Sequence, residues 1–332
     1  MKESGTVSNE RAPKGSQPKV FAVVLNWNGL KDTMECIESL RNVTYGNLEV
    51  IVIDNGSVGG EADTIEEKCG DWITVLRNQE NLGYAEGNNV GIRYALAKNA
   101  EYVLLLNNDV IVAPDFLDAM ILVTESRREV GIVGPMIYYY PPNQGGEVIW
   151  FAGGRVAKNI GQPFHIGLKE IDTGQFNRLK VVDYITGCAL LIKKEAISKI
   201  GLLDTEYFAY FEDLDWNMRA HAVGFLSMFV PEARIWHKAS ATSGYMSPVY
   251  VYLHTRNRIL FVRKNTSRLG FALFFLPTFV VLRIARPMIM FIIKGQNRAS
   301  RALIQGLKDG MFGAGKDIRG RIKVLMSNEV RR

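Results

Sequence analysis

The stretch KVFAVVLNWNGLKDTMECIESLRNVTYGNLEVIVIDNGS, residues 19–57, decides the fold class of this chain. Its two apolar runs, 20–26 and 48–54, have the length and the branched side chains of buried strands. The segment between them, 29–41, carries apolar residues at helical spacing. Because strands that are apolar on both faces and joined by helices are typical of a parallel sheet, the stretch predicts an α/β fold.

The same alternation continues to residue 113, and further elements are predicted in the order helix, strand, helix, strand at 61–69, 72–77, 84–97 and 102–107. The first strand is not followed by G-x-G-x-x-G, which argues against an NAD or FAD enzyme. Beyond residue 113 the rhythm changes. A short helix is predicted after Pro114, followed by a strand, a strand with a short helix, and an amphipathic helix at 131–140, 184–201 and 212–224.

The 332 residues carry a formal net charge of +6, which is unevenly distributed. From residue 283 onward there are twelve basic and three acidic residues, so this tail carries +9 and the rest of the chain −3. The tail has few aromatic residues and no recognised module, which argues against nucleic-acid binding. Residues 1–18 are polar, lack a signal peptide's apolar core and are interpreted as a disordered leader. Three scattered cysteines are typical of reduced thiols in a cytoplasmic protein: Cys36, Cys69 and Cys188.

An apolar segment, LGFALFFLPTFVVLRIARPMIMFIIK at 269–294, overlaps the start of this basic tail. Its uninterrupted apolar run is shorter than the roughly 20 residues of a spanning helix, and Pro277 and Pro287 are expected to kink it. We predict an interfacial or re-entrant helix pair, with the basic tail facing anionic lipid. A single spanning helix and a buried core helix are the alternatives. Residues 266–332 are thus interpreted as a helical membrane-association region.

Polar side chains follow two of the predicted strands, as Asp54-Asn55-Gly56-Ser57 and as Asn107-Asn108-Asp109. Because the carboxyl ends of parallel strands line the ligand crevice of an open α/β sheet, we expect both groups to face one site. Carboxylate and amide oxygens are hard ligands that suit Mg²⁺ or Mn²⁺ on a diphosphate. Each group alone is also typical of an Asx turn, but their joint occurrence at two strand ends favours a binding site.

The loop NQENLGYAEGNN, residues 78–89, lies between the third predicted strand and the following helix. Its glycines allow a close approach of the backbone, and its amides supply neutral donors for the ribose or phosphates of a sugar nucleotide. A capped turn would explain only part of this composition.

Seven motifs occur in order between Val20 and Lys264: VLNWNG, VIDNGS, NxGYAxGNNxGI, LLLNND, GCALLI, GLLDTEYFAYFEDLDWNMRA and IWHKASATSG. Together they resemble family 2 glycosyltransferases with the GT-A fold, and most of all the rhamnosyltransferase-type enzymes of bacterial surface-polysaccharide assembly. The resemblance implies a glycosyltransferase domain over 19–265. A Rossmann-like nucleotide-binding half, 19–113, would abut a mixed-sheet acceptor half, 114–265.

The resemblance also implies roles on the donor side. Asp54 resembles the acid that accepts a hydrogen bond from uracil or thymine. Asp109 closes a DxD-type motif that holds the metal, Mg²⁺ or Mn²⁺, and Asn107 at the start of this motif lowers its charge. His237 resembles a further metal or diphosphate ligand, with a structural histidine as the alternative. The implied donor-binding residues are Asn26, Asn28, Asp54, Asn55, Asn81, Gly83, Asn88, Asn107, Asn108 and Arg256.

Asp213 is the predicted catalytic base. In the inverting enzymes that the chain resembles, the corresponding Asp takes the proton of the acceptor hydroxyl, which requires an ionised carboxylate within hydrogen-bond reach. Glu212 is the neighbour most easily confused with it. Glu212 and Trp216 are predicted to line the acceptor pocket, with core packing as the alternative for Trp216. Arg258 resembles a basic element near the diphosphate, although a solvated helix face or lipid contact explains it better.

The sequence therefore predicts an inverting, metal-dependent transferase that moves rhamnose or another hexose from a dTDP-, UDP- or GDP-sugar. Its acceptor would be a lipid-linked or growing polysaccharide at the cytoplasmic face of the inner membrane. Two alternatives remain. One is a nucleotidyltransferase, which the lack of a cation in Asn26–Gly29 disfavours, and the other is a membrane-attached scaffold that binds a nucleotide or carbohydrate without catalysis. The sugar, the linkage and the oligomeric state, a homo-oligomer included, stay open.

Overall fold

The computed structural model describes residues 17–141, 146–239, 247–313 and 318–327. Most of the predicted leader, 1–16, lies outside the described residues, as does part of the IWHKASATSG motif. The first elements agree with the sequence prediction to within a residue or two. They are β1 (Val20–Asn26), α1 (Leu30–Arg41), β2 (Leu48–Asp54), α2 (Glu61–Cys69), β3 (Ile73–Arg77), α3 (Gly83–Ala97) and β4 (Tyr102–Asn107).

These four strands form the parallel part of one large sheet. β1 lies between β2 and β4, and β3 pairs with the outer side of β2. The register sets Asn26 beside Asp54 and Leu25 beside Asn107, so the ends of β2 and β4 come to the same edge. Residues 20–24 are fully buried between helices on both faces of the sheet, which explains why the run is continuously apolar.

The second half adds antiparallel strands and makes the sheet mixed. Its elements are β5 (Val110–Val112), α4 (Phe116–Ser126), β6 (Val130–Tyr139), β7 (Ile149–Phe151), β8 (Gly154–Ala157), β9 (Gln162–His165), β10 (Lys180–Val182), β11 (Ala189–Lys193), α5 (Lys194–Ile200), α6 (Glu212–Ala222) and β12 (Leu226–His237). β11 pairs antiparallel with β4 and with β6, while β12 runs parallel to β6. The resulting order is β10-β12-β6-β11-β4-β1-β2-β3, with β5 beside β12 and β7 beside β6, and β8 and β9 form a separate hairpin.

Four helices complete the described chain: α7 (Pro248–Asn265), α8 (Arg268–Ile293), α9 (Asn297–Phe312) and α10 (Ile318–Ser327). α8 corrects the predicted helix pair, because residues 268–293 form one continuous helix. Its turns at 271–275 and 280–285 are π-helical, and they contain the carbonyls four residues before Pro277 and Pro287. A wider turn makes room for a proline ring that would otherwise clash with that carbonyl, so the helix continues.

By length and composition α8 could cross a membrane, yet three of its phenylalanines are buried against the protein. Phe275 and Phe279 belong to the main hydrophobic core, and Phe291 belongs to a second cluster that α7 and α9 share. The opposite face exposes a row of large apolar side chains: Leu273, Phe274, Val281, Leu282, Ile289, Ile292 and Ile293. Both faces of the helix are therefore largely apolar: one packs on the protein, and the other is exposed.

Candidate active site

A cavity of about 640 Å³ opens where the parallel strands end and the second half begins. The first half contributes the loop after β3 and the end of β4, and the second half contributes the start of α6 and the end of β12. Twelve of the fifteen predicted site residues are either on its wall or within the network behind it. Those on the wall are Asn55, Asn81, Gly83, Asn107, Asn108, Asp109, Glu212, Asp213 and His237.

Asn55 organises the loop that follows β3. Its Nδ2 donates to Oδ1 of Asn81 at 3.1 Å and to the carbonyl of Gly83 at 3.2 Å, while its Oδ1 accepts from the backbone N of Leu82 at 3.1 Å. Gly83 has a φ of +83°, and a Cβ there would lie 2.6 Å from the backbone oxygen of Phe208. The loop is thus fixed from behind and pressed against the chain segment that precedes α6.

Asn26, Asn28 and Asp54 form a network behind the cavity wall. Nδ2 of Asn26 lies 3.1 Å from Oδ1 of Asp54 and 2.9 Å from Oε2 of Glu61, and Oδ1 of Asn28 accepts from the backbone of Val58 at 2.9 Å. Glu61 also accepts from the backbone N of Gly29 at 3.1 Å at the start of α1. Sequence reasoning missed Glu61, because nothing in its own helix marks a side chain that caps a neighbouring one.

Three further predicted residues do not reach the cavity. Asn88 is buried and its Nδ2 donates to the carbonyl of Tyr84 at 2.9 Å, within its own helix. Arg256 is buried and donates through Nη1 to the carbonyl of Glu206 at 2.7 Å. Trp216 is fully buried and its Nε1 donates to the carbonyl of Gly201 at 2.9 Å, so the core-packing alternative describes its position. Arg258 is also buried and donates to the carbonyl of Gly161 at 2.5 Å, in place of the predicted solvated face.

Asp109 and His237 meet at the cavity wall, since Nε2 of His237 lies 3.2 Å from Oδ1 of Asp109. β5 begins directly after Asp109 and pairs with β12, so that Val110 lies opposite His237. The next residue, Lys238, fixes this junction: its backbone N donates to the carbonyl of Asp109 at 2.9 Å, and its Nζ donates to Oδ1 of Asp32 at 2.7 Å on α1.

The described residues hold no cluster of three or more His, Cys, Asp and Glu side chains able to bind a metal by itself. Asp109 and His237 nevertheless fit two positions of a site that a ligand completes. Oδ1 of Asp109 and Nδ1 of His237 are buried and lack a hydrogen-bond partner of good geometry. Moreover, the described residues that line the cavity include no lysine or arginine, so a diphosphate bound there would meet no side-chain cation.

Asp213 lies in the first turn of α6, where the helix dipole favours a carboxylate. Its Oδ2 accepts from the backbone N of Gly187 at 2.9 Å and its Oδ1 accepts from the backbone N of Leu214 at 2.8 Å. Burial raises the pKa of Asp213, and these backbone N–H groups oppose that rise. The arrangement leaves a carboxylate that is oriented, partly exposed to the cavity and more basic than an ordinary aspartate.

Glu212 differs from its neighbour because its carboxyl is buried and its Oε2 has no hydrogen-bond partner. Burial, and secondarily the charge of Asp213, raise the pKa of Glu212 well above the ordinary range. The pKa of both carboxyl groups is raised, and Glu212 holds its proton more tightly than Asp213, whose carboxylate accepts from two backbone N–H groups.

The structure adds aromatic residues to the site that sequence reasoning missed. Trp150 packs edge-on to His237 and to His165, with ring centroids at 4.6 and 4.5 Å. Burial lowers the pKa of His165 to about 4, so this ring is neutral at physiological pH. The rings of Tyr210, Tyr250 and His254 also line this cavity. No local pattern links these residues, because they lie on separate elements.

Comparison with known proteins gives one family and several relatives. The family model described as Glycosyl transferase family 2 matches residues 22–201. An uncharacterized protein y4gI from Sinorhizobium fredii is 31% identical over 258 residues, which are 74% of this chain and only 27% of that protein. The dTDP-rhamnosyl transferase RfbF of Shigella flexneri is 26% identical over 266 residues, covering 74% of this chain and 80% of its own. An N-acetylglucosaminyl-diphospho-decaprenol L-rhamnosyltransferase of Mycobacterium tuberculosis is 26% identical over 249 residues, covering 70% and 80%.

Two solved structures have the same fold. The mannosyltransferase PcManGT from Pyrobaculum calidifontis, in complex with GDP-Man and Mn²⁺, superimposes with a TM-score of 0.55 at 17% identity and covers 92% of this chain and 90% of its own. GalNAc-T7 with UDP, GalNAc and Mn²⁺ gives a TM-score of 0.54 at 17% identity, covering 72% of this chain and 48% of its own. The mixed α/β sheet is therefore a GT-A fold, as the resemblance of the motifs implied.

Proposed function

We propose, from the premise that this chain belongs to glycosyl transferase family 2, that it is an inverting transferase for a nucleoside diphosphate sugar. One observation carries the proposal: the carboxylate of Asp213 faces the same cavity as the Asp109–His237 pair and the Asn55-anchored loop. A base, a diphosphate site and a donor loop are thus within one enclosure. The acceptor is a hydroxyl of a lipid-linked or growing glycan.

The chain's own residues supply binding and proton transfer. Asn55, Asn81 and the backbone of Gly83 form the wall for the nucleotide, with Asp54 and Asn26 bracing the strand ends behind it. Asp213 accepts the proton of the acceptor hydroxyl while that oxygen attacks the anomeric carbon from the face opposite the diphosphate. The backbone N–H groups of Gly187 and Leu214 keep the carboxylate pointed at the cavity during this step.

Asp109 and His237 would hold a divalent ion, Mg²⁺ or Mn²⁺, together with diphosphate oxygens. Bound there, the ion supplies the positive charge that stabilises the departing diphosphate, which the cavity wall otherwise lacks. An Asp–imidazole pair suits Mn²⁺ at least as well as Mg²⁺. Donor binding measured by calorimetry is expected to weaken strongly in EDTA and to return with added Mn²⁺. Unchanged binding in EDTA would exclude this role of the metal.

Rhamnose from dTDP-rhamnose is the first donor to test, because two of the relatives are named as rhamnosyltransferases. A thermal-shift panel of dTDP-, UDP- and GDP-sugars with Mn²⁺ identifies the nucleotide and the sugar. We expect one nucleotide class to stabilise the protein clearly more than the others. A panel without any shift would contradict the nucleotide-sugar assignment.

The catalytic assignment is tested by Asp213→Asn in the full chain. We expect turnover to fall by about 10²–10⁴-fold, the usual contribution of a general base, with the dissociation constant of the donor nearly unchanged. Asp71→Asn, which changes an exposed aspartate outside the cavity, is the matched control and should keep full activity. Full turnover by Asp213→Asn would show that another group is the base, and NMR of the product anomer checks inversion.

The same assays separate the two alternatives. A nucleotidyltransferase would release inorganic pyrophosphate and would build a nucleotide sugar from a sugar phosphate, whereas the proposed reaction releases a nucleoside diphosphate. A binding scaffold would give the thermal shift but no product with any acceptor. The presence of both acids, Asp109 and Asp213, at the cavity supports a catalytic site.

We also propose that the protein associates with a membrane through α8, lying along the surface. Its inner face is anchored at both ends, by Phe275 and Phe279 near its start and by Phe291 near its end, and its outer face is apolar with Arg283 and Arg286 exposed. Such a face fits the boundary between acyl chains and anionic headgroups. The cytoplasmic face of the inner membrane is the surface that a lipid-linked acceptor and a cytosolic nucleotide sugar would share.

Vesicle co-sedimentation tests this association. We expect the full chain to bind vesicles that contain phosphatidylglycerol, and Leu273→Glu to reduce binding without changing donor affinity. Leu122→Glu on α4, at a similarly exposed leucine, is the control. To distinguish a surface helix from a spanning one, Arg268→Cys and Lys294→Cys are labelled with an impermeant maleimide, since Cys36, Cys69 and Cys188 are buried. Labelling of the two ends from opposite sides would contradict the surface arrangement.

A further inference from the structure

An aromatic wall stands beside the two carboxyl groups of α6. The ring centroids of Tyr250 and His254 on α7 are 4.0 Å apart, and Tyr210 lies 4.5 Å from His254 and 5.6 Å from Tyr250. All three residues line the cavity together with Glu212 and Asp213. The wall therefore lines the same cavity as the proposed catalytic base.

We infer that Tyr210, Tyr250 and His254 form the subsite for the acceptor's terminal sugar ring, which carries an apolar aglycone on its far side. This inference rests on the proposed function and specifies the acceptor class for the same site. The C–H faces of a pyranose pack well on aromatic rings, and neighbouring polar groups bind its hydroxyls.

The segment that presents Tyr210 is held in a strained conformation. Phe208, Tyr210 and Phe211 have φ angles of 65°, 68° and 77°, a region that residues with a Cβ rarely adopt. Such strain persists only where surrounding contacts enforce it, and it is concentrated at functional sites. Here the contact is Asn257 on α7, whose Nδ2 lies within 2.9 Å of the carbonyl oxygens of Tyr207, Ala209 and Tyr210.

The chemistry of the wall suits a neutral polyol. Burial lowers the pKa of His254 to about 3, so its ring is uncharged at physiological pH. Glu212, with Oε2 buried and unpartnered, offers a hydrogen-bonding group that a sugar hydroxyl would satisfy. Because the described cavity lining contains neither lysine nor arginine, an acceptor built of repeated phosphates, such as a polyol phosphate, would meet no cation here.

Beyond the aromatic wall the lining becomes aliphatic. Val249, Leu253, Ile322 and Met326 continue the cavity surface away from Asp213. They belong to the second hydrophobic cluster, which also contains Tyr210, Tyr250 and, from α8, Phe291. One cluster thus joins the sugar subsite to the helix that carries the apolar outer face. An acceptor with a sugar at one end and a hydrocarbon at the other matches this arrangement, in which the aromatic wall is followed by an aliphatic surface.

The experiment compares probes and variants by calorimetry in the presence of dTDP or UDP and Mn²⁺. The probes are a panel of octyl pyranosides, the matching free sugars, and octyl phosphate. We expect an octyl pyranoside to bind best, Tyr250→Ala to weaken it about tenfold, the equivalent of roughly 1.4 kcal/mol, and Tyr250→Phe to keep most of the affinity. Trp72→Ala, at an exposed ring outside the cavity, is the control.

Donor affinity and slow donor hydrolysis by water are measured on the same variants. If both stay normal while Tyr250→Ala leaves octyl pyranoside binding unchanged, or if octyl phosphate binds better than every pyranoside, the subsite is wrong and the proposed function stands. If the wild-type protein binds no nucleotide, the proposed function itself fails. A variant that does not fold is recognised by circular dichroism, and Tyr210→Ala then tests the wall independently.

Discussion

At the scale of single residues, the site depends on two adjacent carboxyl groups with different surroundings. Asp213 is oriented by backbone N–H groups, whereas Glu212 is buried without a partner for Oε2. The sequence predicted both as site residues but assigned them by resemblance to a motif. What distinguishes them is the direction in which each side chain leaves the start of α6, and only the folded structure sets that direction.

Glu212→Gln is expected to stabilise the free protein at neutral and alkaline pH. Because the pKa of Glu212 is raised in the folded state, its proton binds more tightly to the folded than to the unfolded protein. The resulting contribution to the free energy of unfolding is fully present below the unfolded-state pKa and is lost as pH rises through the folded-state pKa. Gln removes this loss. The gain in Tm over wild type should therefore grow between about pH 5 and about pH 8, reaching about 1–2 °C, the equivalent of about 1 kcal/mol. Thermal unfolding at both pH values checks it, and a gain independent of pH would refute it.

At the scale of elements, α7 acts as a support for the segment before α6. Its Asn257 approaches three carbonyls of that segment, and its neighbour Arg256 donates to the carbonyl of Glu206. The resemblance predicted Arg256 as a residue near the diphosphate, but the structure turns this side chain toward the support. The burial of these polar side chains could not be predicted locally, because the sequence of α7 alone does not show which segment lies against it.

Asn257→Ala is expected to lower kcat by at least tenfold while the donor dissociation constant changes little, because Asn257 positions the segment before α6 and does not contact the nucleotide loop. Stability should fall by about 1–3 kcal/mol, the cost of unpaired buried carbonyls. Asn265→Ala, on the same helix with Nδ2 bonded to the carbonyl of Phe261, is the matched control. Steady-state kinetics at a temperature where both variants are folded make the comparison. An equal effect of the two changes would contradict the supporting role.

At the scale of the whole molecule, the C-terminal helices and the glycosyltransferase domain share their hydrophobic cores. The sequence predicted a helical membrane-association region at 266–332. Within it, Phe275 and Phe279 of α8 belong to the main core, and α9 packs along α7. The exposed apolar face of α8 is consequently held at a fixed position relative to the cavity.

Phe279→Ala is expected to destabilise the entire protein by about 3–5 kcal/mol, the usual cost of removing a buried phenylalanine, within a single unfolding transition. Leu282→Ala, at an exposed position of the same helix, should have almost no effect on the free energy of unfolding. Urea unfolding followed by circular dichroism and by tryptophan fluorescence measures both. If α8 unfolded in its own transition and the catalytic half stayed intact, the shared core would be disproved.

The sequence by itself determined the parallel half of the sheet, its order of strands and helices, and the polar groups that end β2 and β4. These features are local, since a continuous apolar run or a turn after a strand is recorded in neighbouring residues. The tertiary structure alone decided that α8 is one helix, that Trp216 and Arg256 turn inward, and that Tyr210, Tyr250 and His254 meet beside Asp213. Those outcomes depend on contacts between residues far apart in the chain, which no local pattern encodes.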